Sequence, residues 1–209
     1  MAAVALFMKK PKRILLYGFG RYEDFHDNVT ARIIRRLVPR SGLKKIVFPV
    51  RFHRKQFVDA IMRFKPEIIL GLGQSSRSRI EVESQAMNRR RGRSTSPSRM
   101  ISRTGPEKLK TTLKMRIGRQ AGRSSNAGDY VCNFSMYVML DHIRQLGADV
   151  RYGFIHVPHD YDLTKAAGLV GEIVARLSTN GSSRALGQRS VFFRAPTPKA
   201  GSSSQRRSE

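Results

Sequence analysis

Short apolar runs and amphipathic stretches alternate along most of the chain, and that alternation predicts strands and helices in turn. Ile14-Leu15-Leu16-Tyr17-Gly18-Phe19 reads as a buried strand running into a glycine turn. Asn28 to Leu37 has helical periodicity, with Val29, Ile33, Ile34 and Leu37 on one side and Arg32, Arg35 and Arg36 on the other. Lys45 to Val50 is a second strand, and Phe57 to Phe64 a second helix, ended near Lys65 by Pro66. Glu67 to Gly71 is a third strand, closed by Gly71-Leu72-Gly73. In Ile80-Glu81-Val82-Glu83 the period falls to two, which predicts a strand with one polar face.

Residues 89–106 break the pattern. They are rich in Arg, Ser and Pro and nearly devoid of apolar side chains, so they read as an irregular, exposed basic loop. Order returns at Ser125-Asn126-Ala127-Gly128, followed by a helix from about Asp129 to Leu146, a last strand at Tyr152 to Pro158 and a last helix at Leu163 to Leu177. This order implies an α/β fold: a three-layer sandwich with a largely parallel, twisted sheet and helices on both faces. Residues 1–177 are expected to form one domain. Residues 178–209, rich in Ser, Gly, Arg and Pro, are expected to be a disordered tail, with Val191-Phe192-Phe193 its one apolar spot.

Composition narrows the function classes. The 209 residues carry 40 Lys+Arg against 15 Asp+Glu, a net charge of +25, yet 40% of them are hydrophobic, too many for a wholly disordered chain. The basic excess is spread along the chain. It would attract polyanions such as RNA, DNA or an anionic surface, but no helix-turn-helix, zinc finger or RNA-binding aromatic motif accompanies it. Non-specific nucleic-acid binding is the most it implies. The longest apolar run, Ala2 to Met8, falls far short of the roughly 18 residues of a membrane span, and it precedes its basic cluster rather than following one, unlike a signal peptide. No membrane partner is expected. The single Cys forbids an intrachain disulfide and a Cys-based zinc cage, which points to the reducing cytoplasm. The histidines lack metal-ligand spacing, so neither a metal nor another cofactor is expected.

Three residues could carry chemistry. Cys132 follows Asp129, an N-cap candidate, by three residues, which places its sulfur in the first turn of a helix, where unpaired amides and the helix dipole favour negative charge. His156 lies at the end of the last strand, on the same face as Phe154, where α/β folds place their ligands. Glu81 and Glu83 share a strand face, and one of them could orient an imidazole as the third member of a triad does. Each also has a plainer reading: a buried structural Cys, a satisfied core His, and charge balance in a basic stretch.

Together these residues resemble the type I pyroglutamyl peptidases (pyrrolidone carboxyl peptidases), a family of cysteine peptidases. Ser125-Asn126-Ala127-Gly128-Asp129-Tyr130-Val131-Cys132-Asn133 is similar to the family's S-x-A-G-x-Y-x-C-N segment, and Gly153 to Pro158 to its G-F-I-H-V-P segment. Glu83, with Ala86 and Asn88 after it, fits E-x-x-A-x-N and selects Glu83 over Glu81. Gly18-Phe19, Tyr22 and Asn28-Val29-Thr30 resemble the amino-terminal G-F-x-P-F…N-P-[ST] stretch, with Arg21, Tyr22 and Val29 in place of Pro, Phe and Pro. The family's arginine ten residues after the glutamate falls, by an ungapped count, on Arg93.

The resemblance implies a peptidase that removes an N-terminal pyroglutamate. Cys132 would be the nucleophile, His156 its base and Glu83 the group that holds the imidazole. Phe19 and Tyr22 would line an apolar pocket for the neutral lactam, with Arg93 a substrate contact, and the assembly would be a homo-oligomer. The alternative is a catalytically impaired peptidase-like protein in which the altered 89–106 loop has lost substrate recognition and the basic surface binds polyanions.

Overall fold

The computed structural model describes residues 10–22, 27–92, 95–115, 117–118 and 121–179. Its centre is a six-stranded sheet in the order β2-β1-β3-β8-β4-β7. The strands are β1 (Ile14–Phe19), β2 (Leu43–Phe48), β3 (Ile68–Ser75), β4 (Ile80–Glu83), β7 (Ala121–Ser124) and β8 (Arg151–Pro158). Two short strands, β5 (Gln85–Met87) and β6 (Lys108–Lys110), form a separate antiparallel pair. In the main sheet every pairing is parallel except that of β4 with β8.

Four helices cover the two faces: α1 (Val29–Arg36) and α4 (Leu163–Ser178) pack together, as do α2 (Arg54–Phe64) and α3 (Val131–Leu146). Alternation along β1 sends Leu15, Tyr17 and Phe19 into a core with Phe57, Phe134 and Val138, whereas Ile14 and Leu16 join Ile33, Val170 and Ile173 on the other side. Ile14, Leu15 and Leu16 are wholly buried, each worth roughly 1.5–3 kcal/mol of apolar burial. Among the described residues no helix is long and apolar enough to cross a membrane.

The structure departs from the sequence expectation in several places. β3 does not close at Gly71-Leu72-Gly73 but runs on to Ser75. The two glycines are there for space: a Cβ on Gly73 would meet the His156 ring and Phe154 at 2.7 Å, and one on Gly71 would meet the Tyr17 hydroxyl at 2.7 Å. The polar face of β4 is turned inward, with Glu83 fully buried. Asp129 is not the N-cap of α3. Tyr130 takes that place with no side-chain cap, while Asp129 pairs with Arg91 at 3.0 Å. Short strands β5, β6 and β7 were not expected, and Arg90 bridges Arg99 inside the 89–106 loop. The expected tail lies outside the described residues from residue 180 onward.

Candidate active site

Three elements converge at the carboxyl end of β8. The turn before α3 is set by Asn126, whose Oδ1 accepts the Gly128 N–H at 3.1 Å, and by the left-handed backbone of Gly128 (φ 80°). Helix α3 then begins, placing half-buried Cys132 at its second position. With no side chain capping the helix, its first-turn amides are left to whatever enters the site. Asn133, fully buried, donates to the Met87 and Arg89 carbonyls (2.9 and 2.7 Å) and accepts the Met87 N–H (2.8 Å), clasping β5 to the start of α3.

His156 is 4% exposed. Its Nδ1 lies 2.7 Å from Glu83 Oε1, which leaves Nε2 for the hydrogen bond with Cys132. Register explains the reach: in the antiparallel β4–β8 pair Glu81 stands opposite His156 and Glu83 opposite Phe154, so Glu83 meets the imidazole along the diagonal. Burial alone would lower the His156 pKa. Hydrogen bonds to Cys132 and Glu83, and the charges of both, outweigh it and raise the pKa to about 9. Burial likewise opposes ionisation of Glu83, but the His156 hydrogen bond and charge, helped by Arg77, hold its pKa below the ordinary value.

Arg77 is a participant that the sequence did not single out. Its guanidinium bonds both Glu81 and Glu83 (3.0 Å to the latter) and donates to the Asn126 carbonyl, tying the two carboxylates to the turn before Cys132. It sits among many arginines, and nothing local marks it. Of the other expected contacts, Phe19 and Tyr22 both line a cavity of about 230 Å³ that Cys132 also borders. Arg93 lies outside the described residues.

That cavity is mostly apolar, walled by Phe19, Tyr22, Val50, Tyr130 and Val131, with Asn28, Gln74 and Ser75 as polar points. It is smaller than the roughly 300–1,000 Å³ usual for ligand sites, a size for one small ring rather than an extended peptide. Tyr130 packs between the tilted ring of Tyr22 (centroids 5.0 Å) and the edge-on ring of Phe52 (5.2 Å), which fixes one wall. Phe19 is held by its backbone, its N–H donating to the Thr30 hydroxyl at 3.0 Å, while Thr30 donates to Asn28 at 2.7 Å.

A thiol at a helix start, hydrogen-bonded to a buried imidazole beside an apolar cavity of an α/β sheet, belongs to a cysteine peptidase. Residues 12–168 match the family model described as pyroglutamyl peptidase, and the chain belongs to that family. It is 32% identical over 173 residues to the pyrrolidone-carboxylate peptidase of Oceanobacillus iheyensis, covering 73% of this chain and 86% of that one. It is also 32% identical over 185 residues to the Pectobacterium atrosepticum enzyme of the same name, covering 77% and 84%. In fold it matches the pyroglutamyl peptidase I of Bacillus amyloliquefaciens with a TM-score of 0.73 at 24% identity, over 81% of this chain and 96% of that one.

Proposed function

We propose that the chain hydrolyses the amide bond after an N-terminal pyroglutamate, with Cys132 as nucleophile, His156 as acid and base, and Glu83 as the group that orients the imidazole. The observation that carries this is His156, buried and hydrogen-bonded at once to Glu83 and Cys132 beside the apolar cavity. In the resting pair the imidazole holds the thiol proton. The thiolate attacks the pyroglutamyl carbonyl carbon, and the C–N electrons leave with the amine, which takes its proton from His156. Water, deprotonated by His156, then attacks the thioester. Pyroglutamic acid departs and the thiolate–imidazolium pair is restored. The uncapped amides at the start of α3 are placed to receive the oxyanion formed in both steps.

The cavity accounts for selectivity. Pyroglutamate is a neutral lactam, so Phe19, Tyr22 and Val131 can enclose it, whereas a free ammonium would be stripped of water there with no carboxylate among the lining residues. Residues 1–177 supply all of these groups, and a reactive thiol of this kind suits the reducing cytoplasm. The test is release of a fluorophore from a pyroglutamyl amide by the wild-type chain and by Cys132→Ser. The wild type should turn over and Cys132→Ser should not. Turnover by Cys132→Ser at the wild-type rate would remove the nucleophile assignment.

A further inference from the structure

Beneath Cys132 lies a chain of hydroxyls that the catalytic reading does not use. Ser135 Oγ donates to the Cys132 carbonyl at 2.8 Å, Tyr17 Oη lies 3.0 Å from Ser135 Oγ, and Tyr152 Oη lies 2.6 Å from Tyr17 Oη. All three residues are fully buried. The direction of the chain is fixed by its end. A carbonyl only accepts, so the Ser135 proton goes to Cys132. Ser135 must then accept from Tyr17, and Tyr17 from Tyr152.

Packing does not require these hydroxyls. Phe in place of either Tyr would keep the ring contacts without burying an OH, which is costly unless bonded. Each donor comes from a different element, and each element carries part of the candidate site. Tyr152 precedes His156 by four residues on β8, Tyr17 precedes Phe19 by two on β1, and Ser135 is on α3 with Cys132. Gly71 on β3 keeps the space that the Tyr17 hydroxyl occupies. Burial raises the pKa of both tyrosines and negative charge on Cys132 adds to the rise, as their nearness to the sulfur requires.

We infer that Ser135, Tyr17 and Tyr152 are positioning residues: their directed hydroxyl chain locks the first turn of α3 onto β1 and β8 and so sets the approach of Cys132 to His156. The inference rests on the assignment of Cys132 and His156 above. It is tested with Tyr17→Phe, Tyr152→Phe and Ser135→Ala on the fluorogenic pyroglutamyl amide. Reactive thiols are counted by iodoacetamide titration and folding is followed by thermal unfolding.

Per folded site, kcat should fall about five- to tenfold in Tyr17→Phe and Ser135→Ala while KM stays within about twofold. Tyr152→Phe, which removes only the far donor, should lose less. In all three the alkaline limb of the kcat/KM profile should move to lower pH, because an imidazolium less well placed against the thiolate gives up its proton sooner. A purely structural role would lower the melting temperature and leave that limb alone.

Wild-type kcat and an unmoved limb in folded Tyr17→Phe would overturn the inference. Should Tyr17→Phe and Ser135→Ala fail to fold, an unmoved limb in Tyr152→Phe would do the same. Cys132→Ser, assayed alongside, separates the two failures. If it is inactive while the tyrosine variants behave as wild type, only the hydroxyl chain is refuted. If it is active, the nucleophile assignment falls first.

Discussion

Gly73→Ala tests whether the bare backbone of β3 sets the imidazole. An added Cβ would meet His156 Cδ2 and Phe154 Cε1 at 2.7 Å and His156 Nε2 at 2.8 Å, where ordinary contacts begin at 3.4 Å. The shortfall of about 0.7 Å must be absorbed by a ring, since the β3 backbone is paired to β8 along its whole length. Phe154 is confined by Tyr17 on one side and His156 on the other (centroids 6.1 and 5.1 Å). His156 yields more easily, and any tilt lengthens either its 2.7 Å bond to Glu83 or its bond to Cys132. Misplacing a reacting group by about 1 Å can cost about a hundredfold in rate, so kcat should fall roughly ten- to a hundredfold. The overpacking itself should cost about 1–3 kcal/mol of stability. KM should change little, because neither Gly73 nor His156 borders the cavity. Steady-state kinetics on the pyroglutamyl amide, paired with urea unfolding, give both numbers. A folded Gly73→Ala enzyme with wild-type kcat would refute the claim that this glycine makes room for the working imidazole.

Two further outcomes concern charge. The alkaline limb of kcat/KM should lie near pH 9, the raised value of His156. Because that value is above the ordinary 6.5, the stabilisation it carries is fully present below about 6.5 and is lost as pH climbs through about 9. Arg77→Met removes the cation shared by Glu81 and Glu83. Glu83 should then protonate at higher pH and the acid limb of kcat/KM should move up, whereas an unmoved limb would mean that Arg77 only tethers the Asn126 carbonyl.

Much of this architecture could be read from the chain, because a parallel sheet buried on both faces writes its strands as unbroken apolar runs. The same rule hid other parts. Tyr17, Ser135 and Tyr152 lie in stretches dense enough in apolar residues to pass for core, and only the fold shows that their hydroxyls meet. β5, β6 and β7 are three to four residues long, and none contains a run of large apolar residues. What holds them in place is bonding from elsewhere, such as Asn133 to Met87 and the Thr111 hydroxyl to the Glu83 carbonyl (3.1 Å). Cys132, Glu83 and His156 were legible as segments of recognisable spacing. Their convergence depends on β4 running antiparallel to β8, which no local pattern encodes. Gly71 and Gly73 misled the reading of β3, since a glycine that clears space for a neighbour's ring looks in sequence like one that ends a strand.

One side chain, Asn88, ties the two ends of the Arg-rich segment after β5 together. Asn88 Oδ1 accepts the Ile101 and Ser102 N–H groups, each at 2.9 Å, and its Nδ2 donates to the Ser102 carbonyl at 2.8 Å. Every one of those partners is a main-chain atom, as are the Met87 and Arg89 groups that Asn133 grips on the other side. A hinge pin of this kind is blind to the side chains it closes over. Its grip is therefore independent of the basic side chains it closes over, even though two of them reach out on their own account, Arg91 to Asp129 and Arg90 to the face of Phe52.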